Sequence, residues 1–327
     1  MSVSSVDKLK SVKKLLKDVL NDNIIDNILI KYWNLLPKRK KLLDWIDIDK
    51  LNWDNLSYNK NAIDLLKENL DKINWKNLSA NENGIELLKE NLEKIDWKNL
   101  SKNSNGIELL SKNLEKINWD ELSCNINGLE LLKENKDKIN WVILSINENA
   151  INYLRKNIEK INWNFLSGNK NGIELLKEHL YKINMNSIIS GELLPNKINW
   201  NILSYNINGI ELLKENKDKI NWDLLSYNSN GIELLTENQE KINWNNLSLN
   251  VNGIELLKEN KDKIYWELLS YNSNAIELLT ENQEKINWNE LSFNSNGIEL
   301  LKENKDKIDW DWISQNVSIF EEEYIPV

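Results

Sequence analysis

The stretch Ile220 to Leu235, Ile-Asn-Trp-Asp-Leu-Leu-Ser-Tyr-Asn-Ser-Asn-Gly-Ile-Glu-Leu-Leu, constrains the fold more than any other feature, because it recurs along the chain. Its tryptophan returns at Trp53, Trp75, Trp97, Trp119, Trp141 and Trp163, each 22 residues after the last. Met185 holds the next place, and Trp200, Trp222, Trp244, Trp266, Trp288 and Trp310 resume the count. Self-similarity at a fixed period of this length marks a stacked array, in which each unit buries its apolar face only against its neighbours.

Local chemistry makes each unit a pair of helices. Asn or Asp precedes nearly every tryptophan and offers a side-chain oxygen to an orphan N–H at a helix start. Trp75 and Leu78 lie one turn apart on a first helix, and Asn81 is expected to end it in a left-handed conformation. Asn83 and Glu86 have capping-box spacing for a second helix, repeated at Asn105/Glu108, Asn230/Glu233 and Asn296/Glu299. Ile85, Leu87, Leu88 and Leu92 cover more than one stripe, as a helix sandwiched between neighbours requires. Asn91 stands at the C-terminal end of that helix. The residue after the second cap is mostly Gly, but Ala at Ala62, Ala150 and Ala275. Ala replaces Gly where space is short, not where φ must be positive, so close packing is expected there. The tryptophans are expected in the core, and the recurring serines are expected to bond a carbonyl one turn back.

The fold class expected is all-α: an α-solenoid of 22-residue helix-turn-helix repeats, bent at a truncated repeat. Residues 1–32 read as an N-terminal helical cap, with Val6, Leu9, Val12, Leu15, Leu16 and Val19 at helical spacing among lysines. Residues 33–52 read as a degenerate first repeat, residues 53–184 as a first stack, 185–199 as the truncated repeat, 200–316 as a second stack, and 317–327 as an acidic, aromatic tail. Pro195 falls where a second helix would continue and marks the bend. Helices about 8–10 Å apart would make an open array roughly 100 Å long or more.

Chemistry is sparse. One cysteine, Cys124, and one histidine, His179, leave no internal disulfide and no Cys/His zinc set, and the serines find no partner base. No cofactor, metal, small-molecule substrate or enzymatic activity is expected. A net charge of −9 supplies no global field for a polyanion. No apolar run reaches the ~20 residues of a spanning helix, so a soluble intracellular protein is expected, in the cytoplasm or, through the basic cluster 37–41, the nucleus.

The position five after the tryptophan, between Ser and Asn, varies. It reads Tyr58, Ala80, Lys102, Cys124, Ile146 and Gly168 in the first stack, then Tyr205, Tyr227, Leu249, Tyr271 and Phe293 in the second. Those last five are the candidate partner-binding residues, since aromatic side chains dominate binding hot spots; the alternative is that they pack on each other between units. The asparagines from Asn59 to Asn294 form a second ladder, suited either to capping or to gripping an extended peptide. Leu70, Leu92, Leu114, Ile158 and Leu180 give the first stack an extra apolar stripe where the second has Lys217, Gln239, Lys261, Gln283 and Lys305.

The phrase, as at Asn140 to Ile151, resembles the tandem Trp-x-x-Leu-Ser-x-Asn-Pro-Asn-Ala-Ile repeats of proteins from giant nucleocytoplasmic DNA viruses, over about residues 53–316. It differs in having Lys, Glu, Ser or Ile in place of the Pro, and mostly Gly for Ala. The resemblance implies a viral product acting in an infected cell and carries over no site residues. The function expected is a non-enzymatic protein–protein interaction scaffold. The alternatives are a self-assembling structural component and a binder of single-stranded nucleic acid.

Overall fold

The computed structural model describes residues 38–190 and 197–324. It is an all-α repeat array, as the periodicity requires, and the array closes on itself. Ten of the twelve units start on a short helix such as Trp75–Ala80, turn, form a second helix such as Ile85–Lys89, and end in a 3-10 turn such as Leu92–Lys94; the Trp163 unit has a longer second helix, and in the Trp310 unit a strand pair stands in place of one. Ser79 at the end of the first helix carries the link to the next unit. Its hydroxyl donates to the Trp75 carbonyl (2.7 Å) and accepts the backbone N–H of Asp96 (3.0 Å). The same backbone-to-Ser bond joins every consecutive pair of units, and it also runs from Asn52 N–H to Ser314 Oγ at 2.9 Å. Unit 1, anchored by Trp53, therefore packs on unit 12, anchored by Trp310, as on any other neighbour. The expected open, elongated array is instead a ring of twelve units.

The expected bend is absent. Trp163 and Trp200 are 37 residues apart, yet their units are direct neighbours: Asn199 N–H donates to Ser167 Oγ (2.9 Å), and Asn206 Nδ2 donates to the carbonyls of Ser167 and Asn169 (3.0 and 3.1 Å). Met185 anchors no unit. The second helix of the Trp163 unit runs on from Ile173 to Ser190 and leaves the ring as a projection. The reason is local. Elsewhere an asparagine ends this helix, as Asn157 does by donating Nδ2 to the Tyr153 carbonyl (2.8 Å). His179 occupies that place, and its ring stacks on Trp163 with centroids 3.6 Å apart.

The core is made of leucines. Leu78, three after the tryptophan, and Leu88, on the second helix, are fully buried, as are their counterparts around the ring. The tryptophans are not the buried centre expected. All but Trp163 are only partly buried against the core, and lysines from the 3-10 turns lie over most of them, Lys263 Nζ being 4.4 Å from the Trp244 ring centroid. The glycine position is explained by close approach: Gly128 has φ −76°, and a Cβ there would stand 2.7 Å from the Leu122 carbonyl oxygen.

Three asparagine roles differ from those expected. Asn81 and Asn91 have φ of −78° and −137°, so neither is left-handed. Gly84, not Asn83, precedes the second helix without a side-chain cap. The Asn83–Glu86 capping box does not form, since the helix starts one residue later, after Gly84, and Asn83 donates its Nδ2 to the Lys60 carbonyl of the preceding unit (2.9 Å).

The ends of the array meet in a two-stranded antiparallel sheet. Strand β1 (Lys38–Leu42) pairs with β2 (Phe320–Tyr324), with Arg39 opposite Glu323, Lys40 opposite Glu322 and Lys41 opposite Glu321. Residues 38–52 are thus not a degenerate first repeat; they complete the last one. The 3-10 turn Ile48–Lys50 sets Lys50 Nζ 5.1 Å from the Trp310 ring, as Lys72 sits over Trp53 in unit 1. The first helix of unit 12 comes from one end of the array and its closing turn from the other. The expected tail at 317–324 is β2 and the turn before it. Residues 1–32, with the expected cap, and Trp33 and Leu36 lie outside the described residues. The face of unit 1 assigned to that cap is covered by unit 12.

Candidate functional site

Closure gives the two helical layers different spacing. First helices pack directly on one another around the ring and exchange hydrogen bonds along their whole length, whereas neighbouring second helices are bridged by long Lys–Glu pairs such as Lys89–Glu108 (3.1 Å) and Lys258–Glu277 (3.1 Å). In a closed ring the tighter layer is the inner one. The variable position between Ser and Asn lies at the C-terminal end of these inner helices, and the tryptophan lies at the other end.

The five candidate residues fall on five consecutive units and form one arc. Tyr205, Tyr227 and Tyr271 are 51%, 37% and 39% exposed; Leu249 and Phe293 are half-buried. The rings also touch between units: Tyr205 and Tyr227 have centroids 5.3 Å apart and tilted, and Tyr271 stacks on Phe293 at 5.2 Å. Both readings of this ladder therefore hold at the level of geometry, since the rings pack on their neighbours and keep a face in solvent. Trp312, which the sequence reading passed over, extends the arc by standing edge-on to Phe293 at 5.6 Å. It sits two after its tryptophan, where most units have Asn, Glu or an aliphatic residue, and that substitution was the available signal.

Two shallow grooves of about 320 and 390 Å³ follow the arc. Tyr205, Ile207, Tyr227, Leu249 and Val251 line the first, which Lys170 flanks; Tyr271, Phe293 and Val317 continue the lining in the second, which has no charged residue. Burial and the neighbouring phenols raise the pKa of Tyr227, so its hydroxyl stays protonated well above neutral pH. The same positions in the other arc are mixed, with exposed Tyr58, Lys102 and Ile146 alongside Ala80, Cys124 and Gly168.

The asparagine ladder does not offer itself to a peptide. Asn81 is 3% exposed, and its Nδ2 donates to the carbonyls of Ser57 and Asn59 in the preceding unit, both at 3.1 Å. Its Oδ1 accepts from Asn83 N–H. Every donor and acceptor of the amide is spent on the ring's own backbone, and the pattern repeats from Asn59 to Asn316.

Two other surfaces carry apolar side chains. Leu70, Leu92, Leu114 and Ile158 are exposed on the 3-10 turns, near the tryptophan end of the inner helices. Tyr181, Met185, Ile188 and Ile189 are exposed on the projecting helix. The basic cluster is already paired: Lys38 Nζ lies 2.9 Å from Glu322 and Arg39 Nη2 2.8 Å from Glu323. Residues 38–41 are therefore a strand held by acids rather than a free basic peptide. Cys124 is half-buried with its thiol pushed up by burial, and His179 Nε2 is buried without a hydrogen-bond partner among the described residues.

Among the described residues no cluster of His, Cys, Asp or Glu is arranged to hold a metal ion, and no helix is long and apolar enough to cross a membrane. Comparison with protein-family models, curated proteins and solved structures gives no match.

Proposed function

We propose that this ring is a non-enzymatic protein-binding scaffold, and that Tyr205, Tyr227, Leu249, Tyr271 and Phe293 form its partner face. The observation that carries this reading is the arc itself. Five consecutive units hold apolar side chains half in solvent, along grooves almost free of charge, on a protein of net charge −9. Partly exposed Tyr and Phe supply large, stiff contact area at low entropic cost, which suits an uncharged, apolar segment of another protein. A rigid closed ring also spends little free energy on ordering when it binds. Binding of single-stranded nucleic acid finds less support, because Lys170 is the one cation lining these grooves and phosphate contacts dominate such affinity.

The test is affinity capture from the native cell with wild type and with a variant carrying Tyr205, Tyr227, Tyr271 and Phe293 changed to Ser. A second variant changed at Ala80, Lys102 and Ile146 on the other arc is the control. Selective loss of a partner from the first variant supports the reading; identical partner lists for all three would reject it.

A further inference from the structure

Eleven of the twelve junctions in the ring are crossed by the chain. The twelfth, between Trp310–Gln315 and Trp53–Tyr58, is not, yet it reproduces an internal junction bond for bond. Between units 1 and 2, Asn74 N–H donates to Ser57 Oγ (3.0 Å), Asn74 Nδ2 to Asp54 Oδ1 (3.0 Å), and Asn77 Nδ2 to the Asp54 carbonyl (2.8 Å). Between units 12 and 1, Asn52 N–H donates to Ser314 Oγ (2.9 Å), Asn52 Nδ2 to Asp311 Oδ1 (2.7 Å), and Asn55 Nδ2 to the Asp311 carbonyl (3.0 Å). The buried amides match as well. Asn81 reaches the carbonyls of Ser57 and Asn59, and Asn59 reaches those of Ser314 and Asn316 (3.1 and 3.0 Å). Asn83 Nδ2 donates to the Lys60 carbonyl and Asn61 Nδ2 to the Val317 carbonyl (2.8 Å). Only the strand pair is peculiar to this seam, with Leu43 N–H bonded to the Ile319 carbonyl (2.9 Å) and the basic and acidic residues of β1 and β2 face to face.

We propose that this seam is an assembly interface for a second copy of the chain, and that β1 and β2 form a charge-coded clasp selecting which end it closes on. Nothing in the repeat-to-repeat contacts distinguishes the unit 12 of one molecule from that of another. The surface is heterologous, so satisfying it in cis makes a closed ring, and satisfying it in trans makes a head-to-tail assembly. In cis the two ends meet at an effective concentration set by the intervening array, which favours the single-chain ring while the array keeps its curvature. The clasp adds the selective element, because acidic β2 accepts a basic β1 and repels an acidic one.

Charge reversal reads this out. One variant carries E321K/E322K/E323K and a second carries R39E/K40E/K41E; each sets like charges across its own clasp, but the two complement one another. A third carries both sets and regains opposite charges in cis. The variants are unfolded and refolded, separately and as an equimolar mixture, and their masses and hydrodynamic radii are measured by light scattering. The expected result is single chains of enlarged radius for each variant alone, at least a twofold rise in mass for the mixture, and compact single-chain rings for the third. A mixture that refolds wholly to single chains, or that has the same mass as the separate samples, overturns the proposal.

Discussion

Asn125 is representative of the residues that hold units together. It is 2% exposed, donates to the carbonyls of Ser101 (3.0 Å) and Asn103 (2.9 Å), and accepts from Asn127 N–H (3.0 Å). Changing Asn125→Ala strands the buried Ser101 carbonyl and the Asn127 amide at about 1–3 kcal/mol each, while the Asn103 carbonyl keeps the Gly106 N–H, so a loss of roughly 2 kcal/mol or more is expected in urea unfolding. A loss below about 1 kcal/mol would show that the ladder is incidental. The leucines and tryptophans separate in a similar way. Leu257→Ala empties a fully buried site and should cost about 2–5 kcal/mol, and more than Trp244→Ala, whose ring is partly exposed beneath Lys263. The reverse order would return the tryptophans to the centre of the core. Gly128→Ala should cost about 1–3 kcal/mol, because its Cβ meets the Leu122 carbonyl as well as a movable side chain.

At the scale of the element, the one second helix that lacks a terminal asparagine is the one that runs on. Where Asn ends the second helix the array keeps its 22-residue step; where His179 stands, the helix continues to Ser190. The extra length is confined to residues 182–196, whose removal places Lys197 directly after Tyr181 and restores the common register. A chain lacking 182–196 and carrying His179→Asn should keep helical circular dichroism and the radius of the parent ring. Aggregation, or loss of the cooperative transition, would mean that the projection is needed for closure. His179 also makes this element sensitive to pH. Burial first, then Lys197 and Lys182, lower its pKa below the ordinary 6.5. A histidine depressed in the folded state contributes stability that is complete above its unfolded pKa and is lost as pH falls through the folded one. Stability should therefore decline as pH drops below about 6.5, and His179→Asn should flatten that part of the profile relative to wild type.

At the scale of the molecule, closure sets the shape. Twelve inner helices with axes about 8–10 Å apart define a circle about 35 Å across, against the extended body roughly 100 Å long that an open stack of such helices would form. Small-angle scattering distinguishes the two directly, and a maximum dimension of the extended kind would refute the ring. The seam has its own pH dependence. Lys38 foremost, with Lys40, holds the Glu322 carboxyl below its ordinary value, so its pairing is complete above the ordinary carboxylate range and is lost as pH falls through the lowered one. These pairs are exposed and modest individually. Acting together across β1 and β2, they discriminate between ends.

The unit was written in the sequence because its determinants are local. Period, helical class, the caps before every repeat tryptophan but Trp266, the serine bond one turn back and the crowding at the glycine all follow from residues within about 22 positions of one another. The aromatic arc was legible as well, since one position varied where packing would have kept it constant. The turn conformations are not legible in the spacing, because a shift of one residue in the helix start changes which side chain caps it. Asn83 beside Glu86 has capping-box spacing, but the helix begins after Gly84, one residue out of that register, and the Asn83 amide donates to the preceding unit. The insertion was misread as a shortened unit because Met185 stands where a tryptophan is due, and only the direct contact between the Trp163 and Trp200 units shows that it is skipped. Closure was decided by tertiary structure alone. A small rotation per unit, invisible in any one repeat, accumulates over twelve until Ser314 meets Asn52 and the acidic strand meets the basic one.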